Sequence, residues 1–375
     1  MSNKTAIVIG AGIVGLATAR ALAVKGYKVT VIERNTKAVG ASIRNFGMVW
    51  PVGQPTGKLY ERAMRSRAIW KAIADASDIW YDECGSMHLA YHEDEWTVLN
   101  ELQDAFKNAG RSSTLVTPEA IQSKYQYINN NNLIGGLYSP AEMIVNPRKA
   151  IPAVALFLAE KYRVEFVWEV AISSIQGNKV FYGDKYSVAD IIFVCSGADF
   201  ETLYPDYFKQ LPITKCKLQM MKYSLQNNSD RIGTAVCGGL SLIHYNSFKE
   251  AKSLYLLKQR FENELQEYVS NGIHVMVSQN DDGDLIVGDT HEYGHTFDPF
   301  DKHHLNKLIE AYLSEICVIN SWQQTETWHG IYPKMTDGST EIFLKVAENI
   351  FILNGIGGAG MTLSFGLAEE IIDNM

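Results

Sequence analysis

The sequence predicts an α/β (α+β) protein, and three observations support that prediction. The chain opens with a strand, a glycine-rich turn, a helix and a second strand, which end at Glu33. Over residues 215–288 apolar and polar residues alternate as in antiparallel strands, interrupted by a helical stretch near residues 261–270. The chain closes with a strand, a second glycine-rich turn and a helix in NIFILNGIGGAGMTLSFGLAEEIIDNM. We therefore expect a parallel βαβ part and a separate strand-rich part.

The N-terminal unit has the residue spacing that a bound dinucleotide requires. TAIVIG reads as a buried strand, Thr5–Ile9, and IVGLATARALAVKG as the helix after it. Gly10 permits a tight turn, Gly12 lets the backbone approach a pyrophosphate, and Gly15 lets the helix lie close to the strand. The phosphates would bind the free N–H groups at the helix N-terminus, and Glu33 would accept hydrogen bonds from the adenosine ribose. This motif predicts dinucleotide binding and leaves NAD and FAD open.

Helical and strand-like segments alternate through the middle of the chain. Helices are predicted for residues 60–80, 94–109 and 302–319 and for KAIPAVALFLAEKY, which follows Asn146-Pro147. Strand-like runs are GSMHLAYHEDE, VEFVWEV and KVFYGDKYSVADIIFVCSGA, the last ending at a turn of small residues. The segment LIHYNSF, with His244 and Tyr245, is predicted to lie in the antiparallel sheet.

Composition and charge exclude several classes of protein. The chain has 375 residues, 46% of them hydrophobic, and a formal charge of −8, so nucleic acid is not expected as a partner. The five cysteines form no CxxC pair and no metal-ligand pattern, which predicts a reducing compartment and no metal site. Arg20 interrupts the apolar N-terminus, so we expect no signal peptide, no membrane span and a cytoplasmic location.

The C-terminal glycine-rich segment favours a flavin over a nicotinamide, and a second glycine-containing loop is a candidate binding segment. The C-terminal turn, residues 357–362, precedes a helix and would offer N–H donors to the electron-rich edge of a reduced flavin ring. The loop GASIRNFGMVWP, residues 40–51, combines glycines with Arg44 and Asn45, which are donors for anionic or carbonyl oxygens. Trp50 would form a wall on the substrate side of the ring.

The chain resembles the D-amino-acid oxidase and glycine oxidase type of FAD enzymes, which includes sarcosine oxidases. The matching pieces are IVIGAGIVGLATARALAVKGYKVTVIE, GASIRNFGMVWP, VEFVWEV, FVCSGA, WHGIYPKMTDG and NGIGGAGMTLSFGLAEEI. The resemblance implies a Rossmann-like FAD-binding domain with an inserted mixed or antiparallel-sheet substrate domain. It also implies that the Val170 backbone reaches the adenine and that residues 42–47 pass the pyrophosphate and the flavin.

The predicted division assigns residues 1–80, 141–214 and 326–375 to the FAD-binding domain and residues 81–140 and 215–325 to the substrate domain. The candidate cofactor residues are Gly10, Gly12, Ile13, Val14, Gly15, Glu33, Arg34, Ser42, Arg44, Asn45, Gly47, Met48, Val170, Ser196, Gly197, Gly330, Gly357, Gly358, Gly360, Met361 and Thr362. The candidate substrate residues are Arg44, Trp50, His244, Tyr245, His329, Tyr332 and Lys334.

One departure from the family concerns the substrate. Relatives that the chain resembles carry an arginine at the place of Tyr332, where it forks onto an α-carboxylate. A tyrosine hydroxyl makes one neutral hydrogen bond instead, which makes an ordinary amino acid less suitable. The runs SIRNFGMVWPVGQ and GGAGMTLSFGLAEE resemble the subgroup associated with phosphonate breakdown. This implies oxidation of the C–N bond of a small primary or N-methylated amine such as 2-aminoethylphosphonate.

Several alternatives stay open at this point. The substrate could instead be glycine, sarcosine or another small amino acid, or a 2-hydroxy acid oxidised at its C–O bond. Two further alternatives are a non-catalytic FAD-binding subunit and an NAD-dependent dehydrogenase. Hydride transfer to flavin N5 requires no acid–base pair, and the sequence nominates no catalytic residue. The electron acceptor, O₂ or another, the mode of FAD attachment and the oligomeric state are not predicted.

Overall fold

A computed structural model describes residues 4–225, 230–318 and 322–375 of the chain. Its strands are, in chain order, β1 (Thr5–Ile9), β2 (Lys28–Ile32), β3 (Met48–Val49), β4 (Tyr81–Asp82), β5 (Ser86–Ala90), β6 (Thr114–Val116), β7 (Gly135–Ser139), β8 (Met143–Val145), β9 (Glu165–Val167), β10 (Ser174–Gln176), β11 (Lys179–Tyr182), β12 (Lys185–Val188), β13 (Ile191–Val194), β14 (Ile213–Ser224), β15 (Ala235–Cys237), β16 (Met276–Gln279), β17 (Leu285–Gly288), β18 (Glu292–Gly294), β19 (Gln323–Met335), β20 (Ile342–Ala347) and β21 (Ile350–Asn354). Its α-helices are α1 (Ile13–Val24), α2 (Lys58–Ser77), α3 (Glu93–Asn108), α4 (Pro118–Lys124), α5 (Pro147–Tyr162), α6 (Pro205–Phe208), α7 (Leu254–Glu264), α8 (Gln266–Ser270), α9 (His303–Ile316) and α10 (Gly360–Asp373).

The first sheet has the strand order β20-β21-β13-β1-β2-β9. All its neighbours are parallel except β20, which runs antiparallel to β21. β1 lies inside this sheet between β13 and β2, and its residues are apolar on both faces because helices cover a parallel sheet. α1 packs against α10 and α5, which completes one layer of helices. The predicted βαβ unit and the Rossmann-like architecture are confirmed.

The second sheet follows the order β18-β14-β17-β16-β15-β5-β7-β6, with β19 also paired to β14. Most neighbours are antiparallel, but β15 and β5 are parallel, so the sheet is mixed. The alternation over residues 215–288 corresponds to β14, β15, β16 and β17, whereas the other strands of this sheet lie outside that range and the parallel pair was not predicted. A large apolar core that includes Phe106, Phe248 and Leu313 packs around it.

β19 leads from the second sheet toward the first. It pairs with β14 in an antiparallel ladder that runs from Ile213 opposite Met335 to Ser224 opposite Gln323. The predicted boundary between residues 325 and 326 falls inside this strand, so most of β19 lies in the sheet that was assigned to the other domain. The chain joins the first sheet only at β20. The rest of the predicted division stays a prediction.

Local differences from the predicted elements have local causes. The helical stretch near residues 261–270 is two helices, α7 and α8, which meet at Leu265. His244 and Tyr245 do not lie in a strand: they follow the 3₁₀ turn Gly239–Ser241, where the His244 N–H donates to Ser241 O at 3.2 Å. The helix predicted for residues 302–319 ends at Ile316, and Ile319 lies outside the described residues.

Candidate active site

A continuous cavity of about 610 Å³ connects the two sheets. One end is lined by the glycine-rich turn after β1 and by Glu33 at the end of β2, and the other by side chains of the second sheet. The loop with residues 40–51 and the turn with residues 357–362 border the middle. Of the predicted site residues, Gly15, Gly47 and His329 do not line this cavity, and all the others do.

The turn after β1 requires glycine for steric reasons. Gly10 has a φ of +105°, and a Cβ there would lie 2.4 Å from the carbonyl oxygen of Cys195 on the neighbouring strand. A Cβ at Gly15 would lie 1.8 Å from Gly10 O, so the first turn of α1 can lie against the loop only without a side chain. Gly15 therefore serves the packing of helix on strand and does not line the cavity.

Glu33 lies at the end of β2 with its carboxylate held from both sides. One oxygen accepts a hydrogen bond from Ala11 N at 2.9 Å and the other accepts one from Asn35 N at 3.1 Å. The side chain is 9% exposed, yet it lines the cavity. A carboxylate oxygen has a second lone pair, so the group is placed to accept hydrogen bonds from a ribose. Arg34, the next residue, pairs with Asp199 at the cavity edge.

Val170 also lines this end, after the chain leaves β9. Its backbone N–H donates to Glu33 O at 3.0 Å. The carbonyl is therefore the Val170 backbone group through which an adenine amino group could be bound. Ser196 and Gly197, after β13, lie on the same cavity, and Gly197 O accepts from Asn354 Nδ2 at 2.9 Å.

The loop over residues 40–51 is braced by its own polar groups. Ser42 Oγ accepts a hydrogen bond from Ile13 N, the first helical residue of α1, at 2.9 Å. Asn45 Nδ2 donates to Ala41 O at 2.9 Å and to Ser42 O at 3.0 Å. Asn45 was expected to donate to the ligand, but its amide N–H groups are used inside the loop. Ser42 is therefore the side chain of this loop that meets the phosphate-binding end of α1.

Gly47 has a structural reason to be glycine. Its φ is +73°, and a Cβ would lie 1.9 Å from Val145 O on β8, next to β3. Its N–H donates to Asn45 Oδ1 at 2.8 Å. Gly47 was expected to contact a cofactor, but it does not line the cavity. Its lack of a side chain instead allows two segments of the chain to approach closely.

Trp50 forms part of the cavity wall, and its side chain is nearly inaccessible to solvent. Its backbone N–H donates to Thr362 Oγ1 at 2.9 Å, which ties the loop to the start of α10. Its ring lies 5.9 Å from that of His88 and 6.5 Å from that of Tyr245. The indole Nε1 is buried and makes no hydrogen bond within the described ranges.

Of the two predicted residues Arg44 and His329, only Arg44 lines the cavity. Arg44 lines the cavity, and its Nη1 donates to the backbone oxygen of His329 at 3.1 Å. The His329 ring points away from the cavity and lies with Nδ1 2.8 Å from Asp301 Oδ1. The expectation of a substrate contact for His329 is therefore not supported, because its ring contacts Asp301 instead. Gly330 and Tyr332 lie on the cavity.

Tyr332 is buried on β19, opposite Cys216 of β14. A Cβ at Gly358 would lie 3.6 Å from its hydroxyl, so the phenol reaches the C-terminal glycine turn. Burial raises the pKa of Tyr332 well above its ordinary value, so the hydroxyl is a neutral donor. Lys334, two residues on, also lines the cavity, and its Nζ donates to Tyr293 OH at 2.9 Å.

Sequence reasoning missed two histidines and an acid. His274 and His291 line the cavity beside His244, and ring nitrogens of the three lie within 4.8 Å of one another. Asp289 is also on the cavity, and its Oδ1 lies 3.0 Å from His274 Nε2. His274 and Asp289 face each other because β16 and β17 are an antiparallel pair, so the hairpin register was the signal that could have revealed them.

Burial shifts the pKa values of all four side chains of this cluster. It lowers the pKa of His244 and His274 well below the ordinary value and that of His291 to about 4. It also raises the pKa of Asp289 well above its ordinary value. Burial therefore disfavours the charged forms of both His274 and Asp289, because desolvation penalises an ion in a site of low dielectric constant.

The sequence profile of one protein family, "DAO: FAD dependent oxidoreductase", matches residues 5–374. Among curated proteins, the bifunctional tRNA 5-methylaminomethyl-2-thiouridine biosynthesis protein MnmC of Saccharophagus degradans is 26% identical over 253 residues, which are 63% of this chain and 34% of the relative. The corresponding protein of Burkholderia lata is 29% identical over 197 residues, 51% of this chain and 29% of the relative. The matched part is thus about a third of the length of these relatives.

Solved structures share the fold over nearly the whole chain. Glycine oxidase from Bacillus cereus superposes with a TM-score of 0.79 at 17% identity, covering 99% of this chain and 94% of the other. Iminodiacetate oxidase from Chelativorans sp. BNC1 gives 0.75 at 18% identity, with coverages of 98% and 94%. At such identities the likeness concerns the fold alone. Within the described ranges, none of the helices has both the length and the apolar composition needed to cross a bilayer.

Proposed function

Because the chain belongs to the DAO family of FAD-dependent oxidoreductases, we propose that it oxidises the C–N bond of a small primary or N-methylated amine that carries a phosphonate, such as 2-aminoethylphosphonate. The observation that carries this proposal is the single cavity that runs from Glu33 to Tyr332, Lys334 and three histidines. Its first end suits a dinucleotide and its second end suits a small anion.

The residues of the first end fit FAD. Gly10 and Gly12 line this end of the cavity, and the N-terminus of α1 would offer N–H groups and a positive dipole end to a pyrophosphate. Glu33 would hold the adenosine ribose, and Ser42 already contacts the first turn of α1. The turn with Gly357 and Gly358 would lie against the ring system, where the start of α10 favours negative charge.

Bound FAD would supply the acceptor for the hydride that leaves the carbon next to the amine nitrogen. The protein would hold that carbon against the ring and exclude water, and Trp50 and Tyr245 form the wall for this. The substrate imine would then react with water to give an aldehyde, phosphonoacetaldehyde in the case of 2-aminoethylphosphonate, and ammonia. O₂ or another acceptor would reoxidise the flavin.

The choice of a phosphonate rests on the donors around the anion. Tyr332 gives one neutral hydrogen bond, where a bidentate arginine would suit a carboxylate. Loss of such a charged pair costs on the order of 1.5–3 kcal/mol of carboxylate affinity. Tyr332, Lys334 and the histidines approach from several elements, so they suit a tetrahedral group better than a planar one.

The test is the visible spectrum of the FAD-loaded protein without oxygen, before and after addition of 2-aminoethylphosphonate, with glycine and sarcosine beside it. We expect the flavin band to bleach with the aminophosphonate at concentrations at which glycine and sarcosine leave it unchanged. Bleaching by glycine or sarcosine alone would contradict the phosphonate assignment. No bleaching by any amine would contradict amine oxidation and favour a hydroxy acid or a non-catalytic role.

A further inference from the structure

We propose that His244, His274 and His291, together with Asp289 and Lys334, form a site that binds a doubly charged tetrahedral anion together with a proton. The proposal rests on the proposed function only in identifying that anion with the substrate's phosphonate. The chemistry of the site would make the enzyme select the dianion of a phosphonate over a carboxylate.

The three imidazoles form one compact cluster at the end of the cavity. Their ring centroids lie 3.7 Å apart for His244 and His274, 4.7 Å for His244 and His291, and 5.1 Å for His274 and His291. Tyr245 packs edge-on to His244 with centroids 5.0 Å apart, and it is the same ring that faces Trp50. The cluster is therefore joined through Tyr245 to the wall of the predicted flavin pocket.

Two polar atoms of the cluster are buried without a hydrogen-bond partner in the described part of the chain. They are Nδ1 of His274 and Oδ1 of Asp289, since the short contact of the latter to His274 lacks hydrogen-bond geometry. An unpaired buried polar atom costs about 1–3 kcal/mol, so such atoms point to a missing partner. A bound anion would accept a hydrogen bond from a protonated His274 Nδ1.

An anion changes the protonation that the empty cluster prefers. A dianion among three neutral imidazoles favours imidazolium strongly in a buried site, so a proton would move from solvent to a ring nitrogen on binding. The other titratable groups that face the cluster are Asp289 after β17, Lys334 and Tyr332 on β19, Tyr293 on β18 and Tyr245. Since the bound state holds more protons than the free state, affinity must fall as pH rises.

The geometry favours an anion over a metal cation. The planes of His274 and His291 differ by 22° and those of His244 and His274 by 31°, so the rings are close to parallel. Ligand atoms are spread over up to 4.8 Å, whereas a tetrahedral Zn²⁺ with bonds of about 2.0–2.1 Å would draw them to about 3.4 Å. Lys334 also repels a cation and attracts an anion.

The experiment uses ethylphosphonate, which has the anion and no amine to oxidise. Calorimetric titration of the FAD-loaded protein at about pH 9, where free ethylphosphonate is mainly a dianion, in two buffers of different ionisation enthalpy, gives the number of protons taken up from solvent. We expect about 0.5–1 proton per anion and a Kd that rises up to tenfold per pH unit above pH 7. Propionate, the carboxylate of similar size, should bind at least about tenfold more weakly, with no proton uptake.

Variants locate the proton. His274→Asn and His244→Gln retain polar side chains that cannot be protonated, and each should weaken ethylphosphonate by about 10- to 100-fold and reduce the proton uptake. His303→Asn changes an exposed histidine on α9 and should leave both unchanged. FAD content and circular dichroism of each variant show whether it is folded, and two positions ensure that one folding failure leaves a result.

Every result of these titrations either supports or overturns the proposed anion site. Binding without proton uptake, or unchanged binding in both folded variants, would overturn the proposal. Binding that a chelator abolishes and Zn²⁺ restores would mean a cation site and would also overturn it. Proton-coupled binding of ethylphosphonate, in a protein whose flavin no aminophosphonate bleaches, would support the anion site while refuting the proposed function.

Discussion

Replacing Glu33 by glutamine tests how the end of β2 holds a nucleotide. The two carboxylate oxygens accept hydrogen bonds from Ala11 on one side and from Asn35 on the other. A glutamine keeps one acceptor oxygen, and its NH₂ group must face a backbone N–H whichever way the amide is turned. The substitution therefore keeps size and shape and removes one buried, charged acceptor.

The structure separates two expected effects of Glu33→Gln. Loss of a charge-assisted hydrogen bond that exists without ligand should lower the free energy of unfolding of the apoprotein by about 1.5–3 kcal/mol. Loss of a charged acceptor for the ribose should also raise the Kd of FAD by about 10- to 150-fold. Urea unfolding of the apoprotein measures the first effect, and fluorescence titration with FAD measures the second.

Glu160→Gln is the matched control, because Glu160 is exposed on α5 and should change neither quantity. An unchanged stability for Glu33→Gln would mean that the hydrogen bonds to Ala11 and Asn35 contribute nothing. An unchanged Kd for FAD would refute the role of Glu33 in ribose binding, whatever the stability shows.

Three further predictions concern packing, substrate and pH. Gly15→Ala places a Cβ 1.8 Å from Gly10 O, so it should reduce both the FAD content and the unfolding temperature. The control is Gly40→Ala, which has no atom within 4 Å of the added Cβ and should leave the unfolding temperature unchanged. Tyr332→Phe should raise KM about 5-fold or more with little change in FAD content; unchanged kinetics would contradict its place in the pocket. Burial raises the pKa of Glu142 to about 7. Its protonated form favours the folded state, so stability should fall between pH 5 and 7.5 by up to about 3 kcal/mol, and Glu142→Gln should flatten that urea-unfolding profile.

The first sheet was predictable because its signals are local. The strand, turn and helix of residues 5–24 lie next to one another in sequence, and Gly15 must be glycine because of a close approach to Gly10 inside that same unit. The second sheet was predictable only as a class. Its parallel pair, β5 with β15, joins segments that are far apart in the chain, and alternation of residue types does not reveal which strands are neighbours.

The residues of the candidate site also differ in whether a local sequence motif reveals them. Trp50, Tyr332 and Lys334 were recognised from the motifs that contain them, and all three line the cavity. His274 and Asp289 carry no motif, because their meeting depends on the register of a hairpin. His329 was predicted from the segment that contains it, but its ring contacts Asp301 and does not line the cavity.

The strand β19 also has a mechanical consequence. Its ladder with β14 holds it in one sheet, while Lys334 near its end forms a bridge with Ile356 at the start of the C-terminal glycine turn. Tyr332, between these two anchors, is thus clamped from both sides. The amine proposed to lie beside Tyr332 and the flavin ring proposed to lie against that turn would therefore be held at a fixed separation. Substrates would therefore enter by movement of surface loops, and the two sheets would not swing apart during turnover.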